Sequence, residues 1–286
     1  MILVTGATGT NGVELISQLA AMGEPCRALV RDPQESAKLL PPDTELFRGD
    51  LGDRAALDEA MRGIEKVFLL CPVHPKQVEW EGNVVDAAKA AGVRHLVKFS
   101  VIHASPESRS ALLRWHAATE DRIRSSGVPF TFLRPNMFMQ ELLRQADAIR
   151  SQGQFYLPLA GAKVSLVDVR DNAAVAAAVL TGRGHEGKTY EITGPAALSF
   201  DEVALALAEA TGRPIRYVPI TMEQFKQAFA AAGAPQWMAD VVAELYATFH
   251  PANSVVREGV KRATGKEPRT FDSFARENAA AIRPPA

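Results

Sequence analysis

Met1-Ile-Leu-Val-Thr-Gly-Ala-Thr-Gly-Thr-Asn-Gly12 is the stretch on which the fold of this chain turns. Its first residues form a short apolar run of the kind expected of a strand covered on both faces. Gly6, Ala7, Thr8, Gly9, Thr10, Asn11 and Gly12 follow at once, and a helical pattern takes over at about residues 11–22. Strand, glycine-rich loop and helix in that order let backbone N–H groups approach a pyrophosphate at a helix N-terminus, where the helix dipole favours anions. The spacing is GxxGxxG instead of GxGxxG, so the reading rests on context and not on the glycines alone.

The same alternation continues outward. Apolar runs predict strands at 2–5, 26–30, 44–48, 66–71, 94–100 and 129–134, with helices between them at about 11–22, 34–40, 53–62, 76–91 and 109–126. Such βαβ crossovers build an α/β fold, a doubly wound parallel sheet of the Rossmann type. Past Pro135 the pattern loosens. A helix is expected at about 136–150, a loop from Gly153 to Pro158, a strand at 164–167, a helix at 171–180 and a short strand at 189–192. Ser199-Phe-Asp-Glu202 is a capping box that opens a helix to about 211, and further helices are expected near 221–232, 236–249 and 254–264. Residues 1–155 are therefore expected to form the dinucleotide-binding domain, with 164–180 packing back on it. Residues 156–286 then form a smaller, mostly helical substrate region.

The end of the second strand selects the coenzyme. An NAD site places an Asp or Glu there to bind the ribose 2′-hydroxyl, whereas this chain has Val30 followed by Arg31. A guanidinium holds a 2′-phosphate through paired, charge-assisted hydrogen bonds, so NADP (NADPH) is expected ahead of NAD. The alternative is a solvated Arg31 with Asp32 on the ribose. A literal P-loop string also occurs at 182–189, but it follows a helix and enters a strand, the reverse of what a P-loop needs.

The balance of the chain removes other classes. With 286 residues, 32 Lys+Arg against 33 Asp+Glu and a formal net charge of −1, it lacks the basic excess that phosphate backbones select. No stretch approaches the roughly 20 apolar residues of a membrane span. Neither nucleic acid nor membrane is expected as a partner. Cys26 and Cys71 make no disulfide framework and no CxxC pair. Because the opening residues read directly as a strand, no cleavable leader is expected, and a reducing cytoplasm is the expected compartment. The six histidines include no HExxH and no pair four apart, so no metal is expected, and no GxSxG nucleophile elbow occurs.

Several further stretches carry a resemblance: VTGATGTNG at 4–12, ALVRDP at 28–33, RGDLGD at 48–53, KFSVIHA at 98–104, SGVPFTFLRPNMF at 126–138, and VDVRDNAAVAAAVL at 167–180 followed by YEITGP. Together they resemble the atypical, NmrA-like branch of the short-chain dehydrogenase/reductase superfamily. That branch includes quinone oxidoreductases, triphenylmethane- and azo-dye reductases, isoflavone-type reductases and catalytically silent NADP sensors. The resemblance implies that Asp50 and Leu51 flank the adenine and that Leu70, Cys71 and Pro72 flank the ribose. It also implies that Ser100 lies near the nicotinamide, with Pro135 to Phe138 over it.

The chain departs from the superfamily at its acid. None of the four tyrosines has a Lys four residues on; His116 stands at the corresponding place, with Glu120 one helical turn later. Residues four apart share a helix face, and a carboxylate beside an imidazole favours the imidazolium, which makes His116 a candidate proton donor with Ser100 and Glu120. The alternative is a surface His–Glu pair without chemistry. Met137 and Phe138, with Met139, Trp237 and Tyr246, are candidates for an aromatic substrate pocket or for ordinary core packing.

The expected activity is an NADPH-dependent reductase that passes hydride to a conjugated aromatic or quinone-type acceptor. Without a Tyr–Lys acid, simple ketones are poor candidates, whereas quinones, azo groups and cationic dyes spread the developing charge. The alternatives are a non-catalytic NADP(H)-binding redox sensor with a protein partner, or a redox enzyme that tailors aromatic (polyketide) metabolites, including by an oxygenase-type reaction.

Overall fold

Strand β1 (Ile2–Val4) sends Ile2 and Val4 into one buried layer and Leu3 into the other, so it must lie between two layers of helices. The computed structural model describes residues 1–249 and 251–283. After β1 come α1 (Thr10–Ala21), β2 (Cys26–Val30), α2 (Pro33–Ser36), β3 (Glu45–Arg48), α3 (Arg54–Ala60) and β4 (Lys66–Leu69). Next are α4 (Gln77–Ala90), β5 (His95–Phe99), α5 (Ala111–Ser126) and β6 (Phe130–Pro135). The chain continues through α6 (Ala146–Gln152), β7 (Gln154–Leu157), β8 (Lys163–Val164), α7 (Val169–Thr181) and β9 (Thr189–Ile192). It ends with β10 (Leu198–Ser199), α8 (Phe200–Thr211), β11 (Arg216–Pro219), α9 (Met222–Ala231), α10 (Gln236–Tyr246), α11 (Gly259–Thr264), α12 (Phe271–Glu277) and α13 (Ala279–Ile282).

Seven strands form one sheet in the order β3-β2-β1-β4-β5-β6-β9, every pair parallel. This is the doubly wound sheet that the alternation predicts. The order reverses between β1 and β4, and open α/β sheets bind ligands at such a switch point, beyond the carboxyl ends of the strands. One layer packs α1 and α7 on the sheet through Leu15, Ile16, Val175 and Val179; the other uses Leu57, Val84 and Ile123. A third cluster, with Phe155, Phe200, Phe249 and Phe274, fills the C-terminal region. The P-loop-like string lies where its context placed it, from the Gly182 cap of α7 into β9.

Differences are local and have causes. The expected loop at 153–158 contains β7, in which Phe155 and Leu157 alternate inward and pair with β11. The expected strand at 164–167 pairs with β10 only at Lys163–Val164. The expected helix at 136–150 starts late, as a 3-10 turn over Met139–Gln145 that leads into α6. Its first backbone donors are already engaged: Met137 N donates to Asn136 Oδ1 and Met139 N to the Val167 carbonyl.

Candidate functional site

The loop after β1 divides its three glycines among three tasks. Gly6 has φ +62°, and a Cβ there would stand 2.8 Å from the Leu70 side chain. A Cβ on Gly12 would lie 2.2 Å from the Gly6 carbonyl oxygen, so Gly12 lets α1 close onto the loop. Gly9 is the N-cap of α1 with φ −79°, and a Cβ there meets nothing closer than 3.4 Å. No side chain caps the first turn of α1, so its amide donors are left for a ligand. The loop borders a groove of about 430 Å3 that also takes in Arg31, Asp50, Leu51, Leu70, Cys71 and Pro72. Gly6, Ala7, Thr8, Gly9, Thr10 and Asn11 all line it, whereas Gly12 packs behind them. This groove fits a dinucleotide: a loop that tolerates no side chain at two positions, free helix N–H groups, and a guanidinium beyond β2.

Arg31 and Asp32 separate cleanly. Asp32 accepts from Gln34 N and Glu35 N at 2.9 and 3.2 Å, so its Oδ1 caps α2, and Asp32 does not line the groove. Arg31 is exposed on the groove wall. Trp80, Glu141 and Arg144 complete that wall, and the sequence pattern alone singles out none of them.

A second cavity, of about 290 Å3, adjoins the groove and shares Asn11, Leu70, Cys71, Phe138 and Glu141 with it. Ser100, His116, Pro135, Met137 and Phe138 line it together with Phe99, Leu112, Val242, Leu245, Tyr246 and Phe249. The structure thus brings Ser100 and Pro135 to this cavity and not to the dinucleotide groove. Met139 is core, packed into the C-terminal cluster. Trp237 lines neither space; its indole lies edge-on to His74, which stacks on Trp80. Burial pushes the Cys71 thiol up, so in the shared wall it acts as a small apolar group. His103, also in the lining, has φ +63° and is the one non-glycine with positive φ among the described residues; its Nε2 donates to the Ala252 carbonyl at 3.1 Å.

The expected His116–Glu120 pair does not form. Glu120 is buried and accepts from Ser100 Oγ at 2.6 Å, from Arg134 Nε at 2.9 Å and from Arg124 Nη2 at 2.9 Å. Ser100 has therefore committed its hydroxyl proton to Glu120 and offers the cavity only lone pairs. His116 faces a cation instead: Lys98 Nζ lies 3.2 Å from its Nδ1. Burial first, then Lys98 and Arg134, hold the imidazole well below its ordinary pKa, so it is neutral at pH 7. The expectation of a raised pKa is thus reversed, because the ring is buried and because β5 and β6 supply cations that spacing within α5 cannot reveal.

Lys98 is the residue that sequence reasoning misses. An apolar strand with one Lys in it is the available signal, since Lys is almost never fully buried without a partner. Its partner is Glu81 of α4, with Nζ–Oε1 2.6 Å and both side chains 0% exposed.

The NmrA-like family model matches residues 1–275. An NAD(P)H azoreductase of Xenophilus azovorans is 45% identical over 283 residues, 99% of each chain. Quinone oxidoreductase 2 of Escherichia coli K12 is 33% identical over 247 residues, 85% of this chain and 86% of that protein. The crystal structure of a Citrobacter triphenylmethane reductase complexed with NADP(H) superposes with a TM-score of 0.85 at 29% identity, covering 97% of this chain and 99% of the other. The chain belongs to the NmrA-like family.

Proposed function

We propose that this NmrA-like protein is an NADPH-dependent reductase whose acceptor is a small conjugated aromatic molecule of the quinone or dye type. The observation that carries the reading is the shared wall between the dinucleotide groove and the apolar cavity. A coenzyme in the groove therefore faces an open, acceptor-sized space, as a reductase needs and a plugged sensor does not. The azo, quinone and triphenylmethane reductases to which the chain is similar support the same class.

The loop amides of Gly6 to Asn11 hold the pyrophosphate, Arg31 the 2′-phosphate, and Asp50 and Leu51 border the adenine end. Bound NADPH supplies the hydride. The cavity wall of Leu112, Met137, Phe138 and Leu245 excludes water and stacks on a flat acceptor. Glu120 keeps Ser100 fixed, and His116 is the group that holds a proton at the acceptor. Buried unpaired thiols at Cys26 and Cys71 support a reducing compartment, the cytoplasm.

The test is NADPH consumption with a panel of quinones, azo dyes and enones. Quinone-dependent oxidation of NADPH with matching hydroquinone formation is the expected result. Tight NADPH binding with no consumption across the panel would overturn it in favour of a sensor.

A further inference from the structure

Lys98 occupies the middle of the sheet, and its ammonium has three N–H donors with three acceptors: Glu81 Oε1 at 2.6 Å, the Phe99 carbonyl at 2.5 Å and His116 Nδ1 at 3.2 Å. An ammonium has no acceptor capacity, so Nδ1 must be unprotonated and the neutral ring carries its proton on Nε2. A fully buried ion pair is seldom worth more to stability than a well-packed apolar pair, so stability alone does not account for this one. The ring it touches lines the acceptor cavity.

We propose that Glu81, Lys98 and His116 form a buried proton relay that serves the acceptor, with Lys98 and Glu81 as positioning residues behind the imidazole. This rests on the reading of His116 given above. A neutral acceptor such as a quinone, an azo compound or an enone needs one proton after it has received a hydride, whereas a cationic dye needs none. Nε2 gives up its proton to the acceptor's oxygen or nitrogen, and Lys98 passes a proton to Nδ1 and becomes a neutral amine. After product leaves, a solvent proton adds to Nε2 and the Nδ1 proton returns to Lys98. The cycle thus takes one proton from water and leaves every residue as it began. The ring never needs to be an imidazolium in the resting state, and its surroundings disfavour that form. Arg134 of β6 and Lys98 of β5 are cationic, and Glu120 is bound to Ser100, Arg134 and Arg124. Glu81 of α4 is bound to Lys98, and Glu244 of α10 is held by the Ala111 amide. Glu141 in the cavity wall is paired with Arg144, and the Gln77 side-chain nitrogen lies 3.5 Å from Nδ1 and 3.4 Å from Nε2, its Oε1 having no partner among the described residues.

The experiment uses ring-15N-labelled protein and three forms: parent, His116→Gln, and the double variant Lys98→Met/Glu81→Leu, which removes both buried charges together. In the coenzyme-free parent, NMR should show an unprotonated Nδ1 and a protonated Nε2 from pH 5 to 8. Enone reduction by the parent should be flat across that range. In the double variant the ring stays buried and neutral but has no proton source at Nδ1, so enone reduction should fall by about 10²–10⁴ while quinone reduction falls far less. His116→Gln should lower enone reduction by about 10²–10⁴ and quinone reduction far less. An enone rate unaffected by His116→Gln would remove His116 as the donor, and the relay with it. A large His116→Gln loss with an enone rate unchanged in the double variant would overturn the relay alone. An imidazolium, or a proton on Nδ1, in the parent would overturn it without recourse to any variant.

Discussion

At the scale of single residues, adjacent side chains on one loop have unlike duties. Asp32 is spent on the first turn of α2, while the guanidinium of Arg31 borders the groove. Charge-assisted hydrogen bonds contribute about 1.5–3 kcal/mol, so the protein should bind NADPH at least about tenfold more tightly than NADH. Arg31→Ala should remove most of that difference while leaving NADH affinity nearly unchanged, as coenzyme titrations of both forms would measure. Equal affinities in the parent would refute the assignment. Arg31 is legible from sequence because its meaning depends only on where β2 ends. His116 is legible as a position and not as an environment. The cations beside it, Lys98 and Arg134, come from β5 and β6, and a spacing of four within α5 points to Glu120, which Ser100, Arg124 and Arg134 claim.

Among elements, α1 and its loop carry the sharpest contrast. Gly6 carries a positive φ, whereas Gly9, at −79°, has a backbone that any residue can adopt. Gly9→Val should therefore fold normally and lose NADPH binding, because the added side chain occupies the edge of the groove. Gly12→Ala should instead lower stability, by about 1–3 kcal/mol for an overpacked site and more if the helix must shift, since its Cβ would meet the Gly6 carbonyl at 2.2 Å. Urea unfolding and coenzyme titration of the two variants separate the effects, and a destabilised Gly9→Val with intact binding would contradict both assignments. The strands of the large sheet are readable because burial on both faces leaves uninterrupted apolar runs. β7 and β11 are not, because Gly153 and Pro158 frame a short strand whose partner starts far along the chain, at Arg216.

For the whole molecule, acid should act through buried imidazoles. Thr131 Oγ1 donates to the His185 carbonyl and so accepts from His95 Nε2 at 2.8 Å, which places a proton on Nε2. Burial lowers its pKa to about 4, against 6.5 in the unfolded chain. Between those values the unfolded state binds more protons, so stability falls as pH drops from about 6.5 towards about 4, by up to about 3 kcal/mol. Unfolding free energies at pH 7 and pH 5 should show the loss, and His95→Gln should shrink it; an unchanged slope would refute this origin. The two cavities have a consequence of another kind. Every residue that borders the coenzyme groove lies at or before Arg144, whereas one wall of the acceptor cavity comes from Val242, Leu245, Tyr246, Thr248, Phe249 and Asn253. The cavity thus draws one wall from a stretch of chain that the groove does not use, although the two share Asn11, Leu70, Cys71, Phe138 and Glu141. Changes confined to α10 and the turn after it can alter what is reduced and leave the coenzyme grip untouched, so a lineage built on this chain can diversify its acceptors at little cost to its chemistry.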